Sequence, residues 1–209
     1  MKVSKEKVAE NRAALVRAAA LLIRERGIDG VGVAEISKKA GLTHGALYAQ
    51  FPSKETLTAE AFTAAHQEGF EEITAHRGDR PPSLTDFFNS YLSTEHRDNL
   101  ATSCPMSASA SEIARQDKLV SERFKESFEQ IVAVIESRLG APAVRADNHQ
   151  RALAVMAALI GGVAAARAVA KSDSRLSNEI LRAVRRMVGE VGGEETTKRP
   201  RGSRTSRGP

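Results

Sequence analysis

With 209 residues, 41% of them apolar, no tryptophan and nine aromatics, the chain has room for one large domain or for a small one plus a medium one, and its core must be packed from Leu, Ile, Val and Ala. The single cysteine, Cys104, excludes an intramolecular disulfide and suits a reducing compartment, while the scarcity of alternating strands and of Asn-Gly or Asp-Gly hairpin turns excludes a β architecture. The net charge of +5 is uneven: residues 1–57 hold ten Lys or Arg against six Asp or Glu, residues 58–191 sixteen against eighteen, and the last eighteen residues five against two, so that a basic head on a slightly acidic body points to a polyanionic partner.

Residues 1–7 are polar and read as frayed, with Lys2, Lys5 and Lys7 as loose phosphate contacts. A first helix is expected over 7–26, with Val8, Leu15, Ala18, Ala19, Leu22 and Ile23 as its buried stripe. Gly27 ends it, and Gly32 caps the next. The order Gly27, Gly30, Gly32 is not a dinucleotide fingerprint, because no strand precedes it. In residues 32–51 the apolar positions Val33, Ile36, Ala40, Leu42, Leu47 and Phe51 have the spacing of two short helices closing on one small core. Gly41 is placed to take the left-handed conformation that ends the first of them, and the Thr43 hydroxyl to cap the second. Two helices joined by so short a glycine-containing turn form a helix-turn-helix, whose second helix can enter the DNA major groove. Here that helix, 43–50, turns His44, Gly45, Ala46 and Tyr48 outward and Leu47 inward, with Phe51 following on the core side.

The run from Gly27 to Leu57 resembles the DNA-binding head of the TetR (TetR/AcrR-type) family of transcriptional regulators: glycine at the end of helix one, Ala-Gly-Leu-Thr at residues 40–43, then Gly-Ala-Leu-Tyr-Ala-Gln-Phe-Pro-Ser-Lys-Glu-Thr-Leu at 45–57. Gly32 stands where the family has Ser or Thr, and Val31 where Thr is frequent. The resemblance implies that Thr43, His44, Gly45, Ala46 and Tyr48 meet the groove and its walls. Each has a physical reason. Thr43 opens a helix whose N–H groups favour phosphate, Gly45 lets the backbone approach DNA, His44 can donate to a base or a phosphate, and Tyr48 brings a hydroxyl. Gln50 is late in the helix and is expected on the backbone, and Lys54 at the start of the next helix on a phosphate.

Ser53 caps a long helix expected to run to about residue 76, which belongs to the head at its start and to the body at its end. Residues 77–83, with an incidental Arg-Gly-Asp and a Pro pair, form a loop. Residues 84–92 are a short helix with the densest aromatic patch, Phe87, Phe88 and Tyr91. His96-Arg97-Asp98-Asn99 matches a kinase catalytic loop in letters only, since no phosphate-covering glycine loop or Asp-Phe-Gly accompanies it. The Ser103-Cys104-Pro105-Met106 run opens a helix to about residue 115 with Pro105 in the favoured first turn, which puts Cys104 where a helix N-terminus lowers a thiol's pKa. This segment resembles a TetR subgroup with Cys-Pro at the start of its sixth helix. A redox- or electrophile-sensing thiol and a small residue lining a cavity are both open readings of Cys104. Long helices follow at 117–139, stopped by Gly140-Ala141-Pro142, then at 147–171 and 177–191. No apolar run is expected to reach the ~18 residues of a membrane span, the best being 152–163. Residues 192–209 lack apolar anchors and are expected to be disordered and basic.

The expected architecture is all-α with about nine helices: a helix-turn-helix head over 1–56 (motif 32–51), a ligand-binding and dimerisation bundle over 57–191, and the tail 192–209. The family resemblance implies a homodimeric repressor on a palindromic, double-stranded DNA operator, released by a small-molecule effector. An activator or a ligand-independent DNA binder is the alternative. The effector cavity is expected to draw on Phe62, Phe87, Phe88, Tyr91, Cys104, Met106, Phe128 and Met156. The dimer interface is expected to draw on Leu153, Ala157, Ile160, Gly161, Ala164, Ile180, Val184 and Met187 of the last two helices. The five scattered histidines and the lack of a nucleophile motif point to no enzyme, metal or cofactor, and the charged N-terminus to a cytoplasmic protein without a membrane partner.

Overall fold

A computed structural model of the chain describes residues 4–74, 82–139 and 145–192. The expectations for residues 1–3, for the loop up to residue 81, for the helix stop at 140–142 and for residues 193–209 lie outside the described residues.

The head is built from α1 (Lys5–Arg26), α2 (Val33–Lys39) and α3 (His44–Tyr48). The local chemistry sets their ends. Ser4 caps α1 by accepting the Lys7 N–H at 3.2 Å. Gly27 and Gly41, with φ of +76° and +69°, take the left-handed turns after α1 and α2 that an L side chain resists. Leu15, Ile23, Ile28, Ile36, Leu47, Phe51 and Leu57 close into one fully buried cluster. Val8 is a correction to the expected stripe: it is 39% exposed, because the first turns of α1 project past this core and have nothing to bury against.

The link α4 (Lys54–Thr74) starts in the head and ends in the body, with Leu57, Ala61 and Ala65 in the head cluster and Phe62 in the body cluster. Then come α5 (Leu84–Tyr91), α6 (Thr94–Asp98), a 3-10 turn at Leu100–Thr102, α7 (Pro105–Ile113), α8 (Lys118–Arg138), α9 (Arg145–Ala170) and α10 (Ser174–Val191). The described residues contain no strand, and their α-helices number ten, one more than expected. The extra turn, α6, forms because Ser93 caps it, accepting the His96 N–H at 3.0 Å. Its Arg97 is a buried staple: the guanidinium donates to Asp98, to Ser177 Oγ at 2.8 Å and to Asn178 Oδ1 at 2.8 Å, fastening α6 to α10.

Helix α9 is the spine of the body, burying Ala152, Val155, Met156, Leu159, Val163 and Ala166 between its neighbours. It also corrects the membrane-span expectation. Over Asp147–Ala170 its mean hydropathy of 2.0 makes it long and apolar enough to cross a membrane, a property that the central helix of a bundle shares. The apolar run 152–163 is only its middle, for α9 continues through Arg151 on one side and Arg167 on the other.

Candidate functional site

The outward face of the head is α3, only five residues long and too short to hold itself together. It is fixed at both ends. Thr43 accepts the Ala46 N–H at 3.2 Å, while the turn before it is closed by Leu42 N–H donating to the Ser37 carbonyl. Thr43, His44, Gly45 and Tyr48 are exposed, Ala46 and Gln50 half-buried, and Leu47 is fully buried beneath them. His44 and Tyr48, one turn apart, present their rings edge-on to each other at 5.1 Å. No substituent would crowd a Cβ at Gly45, so nothing inside the protein requires glycine there.

Two head residues expected at the DNA also have partners inside the protein. The Lys54 ammonium is half-buried and donates to the Ile28 carbonyl at 3.2 Å, so its first partner is the connection after α1. Gln50 offers its main-chain oxygen inward, to the Arg12 guanidinium at 2.7 Å. Arg12 was not foreseen, because its partners lie 38 and 48 residues away, out of reach of any local pattern.

The body reaches the head through the far end of α7. The Glu112 carboxylate accepts the Ile28 N–H at 2.6 Å, and Arg115 and Gln116 donate to Asp29 at 3.2 and 2.7 Å. These two donors hold the Asp29 carboxyl below the ordinary range. Glu112 sits so close that a Cβ on Gly27 would lie 2.5 Å from its oxygens.

The near end of α7 lines a cavity of about 570 Å³ between α4, α5 and α8. Its walls include His66 and Phe70 of α4, Phe87 and Tyr91 of α5, His96, Cys104, Pro105 and Ile131. Of the eight residues expected to line a cavity, Phe87, Tyr91 and Cys104 do so. Phe62, Phe88, Met106 and Met156 do not: they pack elsewhere in the same buried cluster to which Phe87 and Tyr91 belong, and Phe128 is stacked on Phe124 at 6.3 Å. The rings come in pairs: Tyr91 stacks on His96 at 4.7 Å and meets Phe87 edge-on at 5.6 Å, while His66 lies 5.5 Å from Phe70. Burial and the nearby Arg167 guanidinium push His96 down to about 4, and burial also lowers His66, so both rings are neutral at pH 7. The Cys104 N–H donates to His96 Nε2 at 3.4 Å. Arg167 donates to the carbonyls of His96 and Arg97, each at 3.0 Å, and to Ser107 Oγ at 3.1 Å.

The expectation of a lowered thiol pKa at Cys104 is corrected. The cysteine does precede α7, but burial outweighs the helix N-terminus, its N–H groups and Arg167, and pushes the thiol up. A thiol-sensor reading loses its activated thiolate.

Along the last two helices, Leu153, Ala157, Gly161, Ala164 and Met187 are exposed and lie open on the surface. Ile160 is instead buried in the body core, and Ile180 and Val184 are half-buried against it, Val184 resting on Gly162, where an added Cβ would meet it at 3.0 Å. Gly162, not Gly161, is the position that permits close contact between α9 and α10.

The profile of the tetR family of bacterial regulatory proteins matches residues 15–61. The chain is 44% identical over 62 residues to the uncharacterized HTH-type transcriptional regulator YdgC of Bacillus subtilis (strain 168). That match covers 30% of this chain and about a third, 32%, of the relative's length. Among solved structures, a TetR-family transcriptional regulator from Cytophaga hutchinsonii is similar with a TM-score of 0.70 and 15% identity, over 93% of this chain and 100% of that one. A second, from Agrobacterium tumefaciens, has a TM-score of 0.69 and 19% identity over 86% of this chain and 98% of that one. At such identities the likeness concerns the fold, which it extends from the head to the body.

Proposed function

From the match of residues 15–61 to the tetR family of bacterial regulatory proteins, we propose that this chain is a member of that family and acts as a cytoplasmic, homodimeric transcriptional repressor relieved by a small molecule. The observation that carries the reading is the outward face of α3, where Thr43, His44, Gly45 and Tyr48 stand exposed on a closed head. Two such heads, related by a twofold axis, would read half-sites of a palindrome about 34–36 Å apart. Leu153, Ala157, Gly161, Ala164 and Met187 form an apolar face on α9 and α10 suited to that axis.

The cavity supports the relief of repression. Its volume of about 570 Å³ is that of a small-molecule site, and its paired rings suit a flat, apolar effector. An effector seated there touches Cys104 and Pro105 at one end of α7, whose other end holds Ile28 through Glu112. It would favour the state in which the heads no longer match the operator, and differential affinity of a few kcal/mol is enough.

The test is selection of duplexes from a random library by the purified protein, followed by binding titrations at several salt concentrations. An enriched palindrome and a steep fall of affinity with salt are expected. No enrichment, or salt-insensitive binding, rejects the reading. Met187→Glu would place a charge on the proposed interface, and sedimentation should then show monomers where the wild type shows dimers.

A further inference from the structure

We propose that Arg12 is the positioning residue that sets the angle of the recognition helix, binding α3 to α1 and α4 at once. This rests on the DNA-binding reading of α3. The Arg12 guanidinium donates to the Gln50 carbonyl at 2.7 Å, forms an ion pair with Glu60 of α4 and lies 4.1 Å above the centre of the Phe51 ring. Each contact has its own reason. The Gln50 carbonyl lies just past the C-terminal end of α3, where orphan carbonyls and the helix dipole favour a cation. Phe51 is fully buried, so its ring is a fixed platform, and a guanidinium over its face keeps the donors in its own plane free for other partners. Glu60 belongs to the helix that continues to the cavity, where Ala65 and His66 are part of the wall.

The five-residue α3 thus has a hydrogen-bonded cap at its start and Arg12 at its finish. The buried Leu47 and Phe51 hold its depth in the core, and Arg12 holds its tilt relative to α4. A side chain so engaged, with its charge balanced by Glu60, serves the interface through the helix and not by touching phosphate.

Binding of a duplex selected by the wild-type protein, and of a scrambled duplex, separates these roles. Arg12→Lys keeps the charge but loses the fork and the stack, while Arg12→Gln loses the charge. If Arg12 positions α3, Arg12→Lys weakens the selected duplex about tenfold and the scrambled one by less than about twofold, with an unchanged salt slope. Glu60→Gln moves the same ratio in the same direction by less. If Arg12→Lys binds like wild type and Arg12→Gln lowers the salt slope by about one, Arg12 is a phosphate contact and the proposal is overturned. Equal losses on both duplexes in all variants assign it to folding alone and also overturn it. Should the Arg12→Lys head melt below the assay temperature, Glu60→Gln decides alone, since an unchanged ratio there rejects the coupling to α4. A wild-type chain that selects no duplex removes the DNA-binding reading itself, and with it this role.

Discussion

The head and the body are both helical, but they are finished differently. In the head the large apolar side chains Leu15, Ile36, Leu47, Phe51 and Leu57 are all but fully buried, and among its described large apolar residues only Val8 and Tyr48 are exposed. The body buries a larger cluster yet keeps a cavity of about 570 Å³ beside it, and leaves Leu153, Leu176 and Met187 on its surface. A head that presents one surface gains from rigidity. The proposed uptake of an effector and pairing with a second copy would draw on that space and on the apolar surface still uncovered.

The largest test of this contrast is Phe51→Ala. Phe51 is fully buried and carries the Arg12 guanidinium, so its truncation should cost about 3–5 kcal/mol and fall on the head. Hydrogen exchange should then show α1–α3 amides opening while α9 amides remain protected. Equal loss of protection in α9 would mean that head and body unfold as one unit, through Ile113 and Val120, which belong to the head cluster from the body side.

The next effect belongs to the body alone. His96 is held at about 4 against an ordinary 6.5, so the folded state resists a proton that the unfolded chain accepts. Its stabilising contribution is complete above about pH 6.5 and is lost as pH falls toward 4, by up to roughly 3 kcal/mol, and His66 acts with the same sign. Urea unfolding at pH 7 and pH 5 should show the loss, and His96→Asn should flatten it. An unchanged slope in that variant would place the titration elsewhere.

Gly27→Ala addresses the joint between the regions. The position has φ +76°, and a Cβ there would press on the Glu112 carboxylate. A cost of about 1–3 kcal/mol is expected, together with faster exchange of the Ile28 amide as its bond to Glu112 yields. If the cost appears without faster exchange at Ile28, the strain is absorbed inside the head and α7 is not the link.

How far these features can be read from sequence follows the distance over which they are encoded. The turn at Gly41, the Thr43 cap and the inward Leu47 and Phe51 are local spacings, and the structure has them where the spacing puts them. The cavity is assembled from five separated segments, so aromatic density was a poor guide: Phe87 and Tyr91 line it, whereas Phe62 and Phe88 of the same buried cluster do not. Arg12, Glu112 and Arg167 were missed for the same reason, since each acts on partners tens of residues away. The Cys104 error was of another kind. A helix N-terminus does favour the thiolate, but desolvation of the sulfur opposes it and here is the larger effect, and sequence does not report that desolvation.

The smallest expected change in stability is also the sharpest functional test of the head. Tyr48 is 48% exposed, and the only ring it meets is that of His44, at 5.1 Å. Tyr48→Ala should therefore alter the unfolding free energy by no more than about 0.5 kcal/mol. Lys54→Ala removes a donor from the Ile28 carbonyl and should cost about 1 kcal/mol. On a duplex selected by the wild type the order should reverse, with Tyr48→Ala losing more affinity than Lys54→Ala. The reversal is what a head divided into an inner fabric and an outer face requires. If Tyr48→Ala instead destabilised the head by more than about 1 kcal/mol and left binding intact, the exposed ring would be part of the fabric, and the outer face of α3 would have lost its largest side chain.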